Sequence, residues 1–208
     1  SLQQTLESND KPIEESTRQI FPLIKHIEWL KTAQKQLLDM GSQKAKVERN
    51  FVYKTINEEL LVTYVEDKAN SMGFLSMDDA DALGGIDQLH ELAMKNLIEQ
   101  KVPQVENQGA GGKYALRLDG FFDATIALVL SYFLPKMELQ GRPLVAIPSR
   151  DELLICGDGL DEDIWSLLEI TEEIFNQAPY QISSRLFRMS NEGALETVYF
   201  QRYEKDSQ

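Results

Sequence analysis

Pro143-Leu-Val-Ala-Ile-Pro-Ser-Arg-Asp-Glu-Leu-Leu-Ile-Cys156 is the stretch on which the fold turns. Two apolar runs, residues 143–147 and 152–156, flank the corner Pro148-Ser149-Arg150-Asp151. Runs of that length bounded by turn residues read as strands, and so short a corner joins them as an antiparallel hairpin. Pro fixes φ at the corner and Asp can bond the local amides.

Working outward, residues 121–134 are apolar nearly all round, interrupted by Asp123 and closed by Pro135. Such a pattern predicts a helix in the middle of the fold. Downstream, Asp161-Glu162-Asp163 suits a helix N-terminus, with Asp161 as its cap and carboxylates at the positive end of the dipole. That helix runs to about Gln177 and is expected to bury Ile164, Trp165, Leu168 and Phe175. Two further strands follow, near 181–189 and 195–203, joined by Ser190-Asn191-Glu192-Gly193. Two successive helix–hairpin units predict an α+β fold: a mostly antiparallel twisted sheet, helices on one face and one central buried helix.

The N-terminal half is read the same way. Residues 1–12 form a polar tail, disordered or vector-derived, ahead of a single domain over 13–208. Ile20, Leu23, Ile24, Ile27, Leu30, Leu37 and Leu38 recur at helical spacing, which predicts a helical segment over 13–41, interrupted at Pro22 and ended by Gly41. A hairpin is expected from 50–54 and 60–65 about Asn57-Glu58. Residues 76–85 read as loop or a short helical turn, 86–100 as a helix, and 102–112 as a loop ending in Gly109-Ala-Gly-Gly112. Residues 113–118 alternate as a half-buried strand, Tyr114, Leu116 and Leu118 on one face.

The 208 residues carry 34 acidic and 21 basic side chains, a net charge of −13. Phosphate backbones and anionic bilayers are bound chiefly by Lys and Arg, so neither nucleic acid nor membrane is expected as a partner. A protein partner or a homo-oligomer stays open. Cys156 is the only cysteine, so an intrachain disulfide and a thiolate metal site are excluded, and its apolar surroundings read as core. The longest apolar stretch, 121–134, is too short to cross a bilayer, and the start of the chain is polar; a cytoplasmic protein is expected.

No catalytic, cofactor or metal motif emerges. The glycine run at 109–112 follows a helix and opens a strand, the reverse of a phosphate-cradling loop. His26 and His90 are the two histidines and form neither a zinc spacing nor a triad. The clusters Asp78-Asp79-Ala80-Asp81 and Asp158 to Asp163 lack the alternating ligands of a calcium loop. The candidates for ligand binding are Arg150, whose planar fork suits a carboxylate or phosphate, with Asp151, Asp119, Asp123 and Asn96.

Leu60-Leu-Val-Thr-Tyr-Val-Glu-Asp67, Ala93-Met-Lys-Asn-Leu97, Leu118-Asp-Gly-Phe-Phe-Asp-Ala124 and Val145-Ala-Ile-Pro-Ser-Arg-Asp-Glu-Leu153 stand in an order that resembles the bacterial domain-of-unknown-function family 1444, the YtpQ-like uncharacterised proteins. The resemblance covers roughly residues 60–160. It departs at Thr125, where the family pattern has Ser, and in the glycine-rich insertion at 109–112. It implies a fold and no activity. The reading that follows is a non-catalytic interaction or regulatory module, chaperone-like; the alternative is a small-molecule or anion-binding protein, or an enzyme, with its site around Arg150 and Asp123.

Overall fold

A computed structural model describes residues 18–68 and 71–200, so the expected tail at 1–12 lies outside the described residues. The fold is α+β, with every strand pairing antiparallel, but the strands form two sheets where one was expected. The smaller sheet is built from β1 (Ile20–His26), β2 (Tyr53–Thr55), β3 (Leu60–Lys68) and β4 (Ser71–Phe74), with β3 at its centre. Helices α1 (Ile27–Asp39) and α2 (Lys44–Arg49) separate β1 from β2. Helices α3 (Met77–Ala82) and α4 (Ile86–Asn96) then lead, through a π-helical turn at Leu97–Lys101, to the larger sheet.

That sheet has six strands in the order β10-β9-β7-β8-β6-β5: β5 (Glu106–Ala110), β6 (Lys113–Arg117), β7 (Pro143–Ser149), β8 (Glu152–Gly157), β9 (Leu186–Met189) and β10 (Leu195–Val198). Helix α5 (Asp161–Gln177) connects β8 to β9. The expected 143–156 hairpin is present, and it forms the middle of the sheet. Alternate residues divide between two cores: Val145, Ile147, Leu153 and Ile155 face the main one, while Leu144, Ala146, Leu154 and Cys156 meet Ile164 and Leu167 of α5. Continuous apolar runs are what strands buried on both faces require. The sheet is therefore covered on both faces, not one.

Three segments differ from expectation for local reasons. Residues 20–26 are strand, and the helix begins only at Ile27, inside the segment expected to be helical from 13 to 41. Ile20 and Ile24 face the main core and Phe21 and Leu23 a second cluster with Val65 and Phe122, so a doubly buried strand mimics a helical stripe. Pro22 is tolerated because β1 is an edge strand. The Ile20 carbonyl and the Ile24 amide both point outward, and the missing amide of Pro22 falls between them on that open edge. The expected loop at 102–112 contains β5, and Gly111 and Gly112, at φ +62° and +86°, make the two-residue turn into β6. Two consecutive positive φ values are what the tight hairpin turn needs. The expected central helix at 121–134 is a buried 3-10 run, Ala124–Tyr132, broken at Val129 (φ −125°).

Helix α5 matches its predicted span, yet Asp161 is its first helical residue and Leu160 the cap; Ile164, Leu167 and Thr171 are buried, with Trp165 and Phe175 only half-buried. Among the described residues no helix is long and apolar enough to cross a membrane.

Candidate functional site

The corner between β7 and β8 is fixed from three sides. Arg150 donates its amide to the Tyr180 carbonyl at 3.0 Å and accepts the Ala124 amide on its own carbonyl at 3.0 Å. Ser149, 1% exposed, donates its hydroxyl to Asp151 Oδ1 at 2.7 Å. The segment leading into β9 and the start of the 3-10 run are thereby stitched to the turn, and the Arg150 side chain leaves a backbone held through both its amide and its carbonyl.

The other candidates are spent on the backbone. Asp123, 2% exposed, accepts the amides of Leu118, Asp119 and Gly120 at 3.0, 3.2 and 2.7 Å. Asp119 accepts the amides of Phe121 and Phe122 on one oxygen and the Lys101 ammonium, at 2.9 Å, on the other. Burial works against the Asp119 anion, but those amides and Lys101 outweigh it and hold its pKa below the usual carboxylate range. Asn96 donates both amide hydrogens to the carbonyls of Arg18 and Ile20, at 2.9 Å each, and Thr125 Oγ1 accepts the Ile24 amide at 3.4 Å. Together Asn96 and Thr125 close the open edge of β1 with side chains, as an exposed edge demands. The Asp119–Asp123 turn and the Arg150 corner are brought together; Asn96 stands on the β1 edge instead.

Arg150 is different. Its guanidinium lies 3.9 Å from the centre of the Tyr180 ring and 4.6 Å from that of Phe121. Its Nε is buried and has no hydrogen-bond partner. The ladder of rings continues through Phe121–Phe122 (5.0 Å) and Phe122–Phe21 (5.2 Å), and Lys101 sits over Phe122 at 4.5 Å. Six of the seven described arginines carry a carboxylate partner: Arg18 with Glu66, Arg49 with Asp78, Arg117 with Glu152, Arg142 and Arg188 with Asp158, and Arg185 with Glu59. Arg150 is the exception among the described residues.

A second cation repeats the anomaly. Lys25, near the end of β1, is half-buried, with its Nζ 5.4 Å from the Trp29 ring centre and 5.9 Å from that of Phe74. Burial lowers its pKa, and the positive charge of Arg150 lowers it further. Among the described lysines without an ion pair, Lys35, Lys46, Lys95 and Lys136 are all exposed; Lys25 alone is not. In a chain of net charge −13, the two shielded cations without a carboxylate lie within electrostatic reach of each other. Shielded charges are ordinarily paired, because desolvation is costly. Lys25 escapes sequence reasoning, since a lysine at the end of an apolar run looks like the solvated end of a helix stripe.

Trp29 also lines a cleft of about 520 Å³, whose other walls include Glu28, Glu59, Arg185, Phe175 and Gln181. The histidines serve locally: His26 Nδ1 accepts the Glu28 amide at the start of α1, and His90 Nδ1 lies 2.9 Å from the Tyr64 hydroxyl. Cys156 is buried, and desolvation, helped by the charge of Asp163, pushes its thiol pKa up to about 11. Among the described residues no three His, Cys, Asp or Glu side chains converge as metal ligands. Comparisons of the chain with protein-family models, with curated proteins and with solved structures return no match.

Proposed function

We propose that the protein binds a small anionic ligand, without catalysing a reaction on it, between the Lys25 ammonium and the Arg150 guanidinium. The observation that carries this reading is the buried Arg150 Nε without a hydrogen-bond partner, in a guanidinium with no carboxylate among the described residues and within electrostatic reach of the shielded Lys25. A planar fork and a compact ammonium are complementary donors for one oxyanion. The backbone bonds of Arg150 to Tyr180 and Ala124 set the fork in place before a ligand arrives, which lowers the cost of binding. The resemblance of 60–160 to an uncharacterised family adds no activity to this.

Calorimetry and thermal-shift measurements with phosphate, sulfate and carboxylates test it. The wild type is expected to bind at least one of them, Arg150→Gln and Lys25→Gln to bind at least about tenfold more weakly, each losing one charge-assisted contact of about 1.5–3 kcal/mol. Both variants must keep the wild-type circular dichroism spectrum. A wild type indifferent to all three anions removes the proposal.

The interaction-module reading draws on a separate feature: β5 is the open end of the six-stranded sheet and all five of its residues are exposed. An open edge can pair with another chain. A monomer by light scattering at high concentration, together with no change in an exposed-edge variant Gln108→Pro, leaves that reading without support.

A further inference from the structure

Both ends of the six-stranded sheet are strand edges, and the chain treats them differently. At one end β10 carries Glu196, and its Leu195 carbonyl accepts the Asn57 side-chain amide at 2.9 Å. The β1 edge of the smaller sheet is closed by Asn96 and Thr125 and holds Pro22. Charges, prolines and covering groups of this kind keep edge strands from pairing with other chains. β5, Glu106-Asn-Gln-Gly-Ala110, contains no Pro, Lys or Arg, and all five of its residues are exposed. Its Gln108–Glu106 side-chain bond, 3.1 Å long, stays within the strand.

Charge selects the partner. The chain is net −13, so two copies repel over most of their surface. The β5–β6 hairpin is the exception, because residues 106–117 hold one acid, Glu106, and two bases, Lys113 and Arg117. Within the hairpin Glu106 stands opposite Arg117, Gln108 opposite Ala115 and Ala110 opposite Lys113. A second β5 laid antiparallel, Gln108 against Gln108, sets Glu106 of each copy against Ala110 of the other, with that copy's Lys113 one strand further on. The outer rows across the junction then read Arg117, Glu106, Ala110, Lys113, on either side of a central pair of glutamines. No like charges face each other, and the contact closes on itself as a two-fold interface does. Resting on the open-edge reading of β5, we infer that the partner is a second copy of this chain. The two β5 strands pair antiparallel about a two-fold axis at Gln108, and two six-stranded sheets become one.

Analytical ultracentrifugation of the full chain is expected to show a dimer, and cysteine substitutions locate its axis. In this register the two residues at 108 lie directly opposite, Cα atoms about 4.5–5.5 Å apart, within the about 4.4–6.8 Å that a disulfide spans. Gln108→Cys should therefore cross-link the dimer under mild oxidation. The two copies of Glu106→Cys are staggered by four positions, roughly 14 Å at about 3.4 Å per residue, and should not cross-link. Cys156 is buried, and the wild type carrying it alone is the blank.

Charge at the axis gives an independent test. Gln108→Glu and Gln108→Lys each set like charges against each other and should weaken the dimer by about fivefold, while an equimolar mixture of the two sets opposite charges there and should restore it. Mixing would not rescue variants that had simply misfolded. A dimer that cross-links through Glu106→Cys but not Gln108→Cys, or that the mixture fails to restore, overturns pairing about Gln108. A synthetic peptide of residues 104–112 separates the partner from the edge. A monomeric chain that binds this peptide overturns the second copy and keeps the open edge; a monomeric chain that ignores it overturns both.

Discussion

The Gly120 amide nitrogen lies 2.7 Å from Asp123 Oδ2, and the amides of Leu118 and Asp119 complete the shell of that carboxylate at 3.0 and 3.2 Å. A buried carboxylate turns the chain between β6 and the 3-10 run by gathering three amides of a half-exposed turn onto one acceptor. A donor that loses its acceptor where water can reach it costs less than the about 1–3 kcal/mol of a buried one.

Asp123→Ala is therefore expected to destabilise the protein by about 1–3 kcal/mol, with Asp123→Asn in between because its amide keeps one acceptor oxygen. Urea unfolding monitored by circular dichroism measures both. An alanine variant within about 0.5 kcal/mol of wild type, the scale of an ordinary surface substitution, would show that the turn does not depend on the carboxylate.

How much of this was legible in the sequence depends on which forces set each part. The 143–156 hairpin, α4, α5 and the β2–β3 hairpin follow from periodicity and turn chemistry; Asn57 does close its turn, accepting the amides of Glu59 and Leu60. β1 was not legible, because Ile20, Phe21, Leu23 and Ile24 are buried on both faces and so leave no alternation to read. The corner at Arg150 was visible as a type of residue in a type of turn. What distinguishes Arg150 and Lys25, the lack of a carboxylate, belongs to the arrangement of six other arginines and their partners and exists only once the chain is folded. Asp123 and Asn96 carry the same residue types that a ligand site would need, and only their hydrogen bonds show that the backbone uses them.

Cys156 offers a check on the packing of α5 against the large sheet. With its thiol pushed up to about 11, first by burial, the reactive thiolate is about a thousandth of the total at pH 8. Disulfide-exchange reagents should label the folded protein slowly, with a rate that climbs about tenfold per pH unit beyond pH 9, and label it at once in urea. A rate that levels off near pH 8.5 in the folded protein would mean that the thiol is solvated and that α5 does not seal this face.

Asp158 makes a prediction with a defined pH direction. Burial raises its pKa, but the Arg142 amide and the charges of Arg142 and Arg188 outweigh burial and leave it lowered. A carboxylate whose folded pKa lies below its unfolded value of about 3.9 stabilises the fold above that value, and the contribution is lost as pH falls through the folded pKa. Asp158→Asn should lower stability at neutral pH and flatten the acid limb of the urea midpoint against pH below about pH 4. An acid limb identical to wild type would show that the two arginines gain nothing from this carboxylate.

Lys25 should cost the free protein stability. Its charge is desolvated, is repelled by that of Arg150 and has no described carboxylate to compensate it. Lys25→Met keeps the aliphatic stem against Trp29 and Phe74 and removes the charge, so the ligand-free variant is expected to be more stable than wild type by about 1 kcal/mol, the usual scale of relieving strain at a binding site. The pH dependence has a fixed sign. A lysine whose folded pKa is lowered carries its full penalty below that pKa and sheds it as pH rises toward the unfolded value of about 10.4, so the wild-type and Lys25→Met stability curves should converge in alkaline solution. A saturating anion should close the same gap at neutral pH by stabilising the wild type alone. If Lys25→Met is less stable than wild type at neutral pH without ligand, Lys25 already has its counter-charge within the fold, and the cation pair is a structural feature rather than a site.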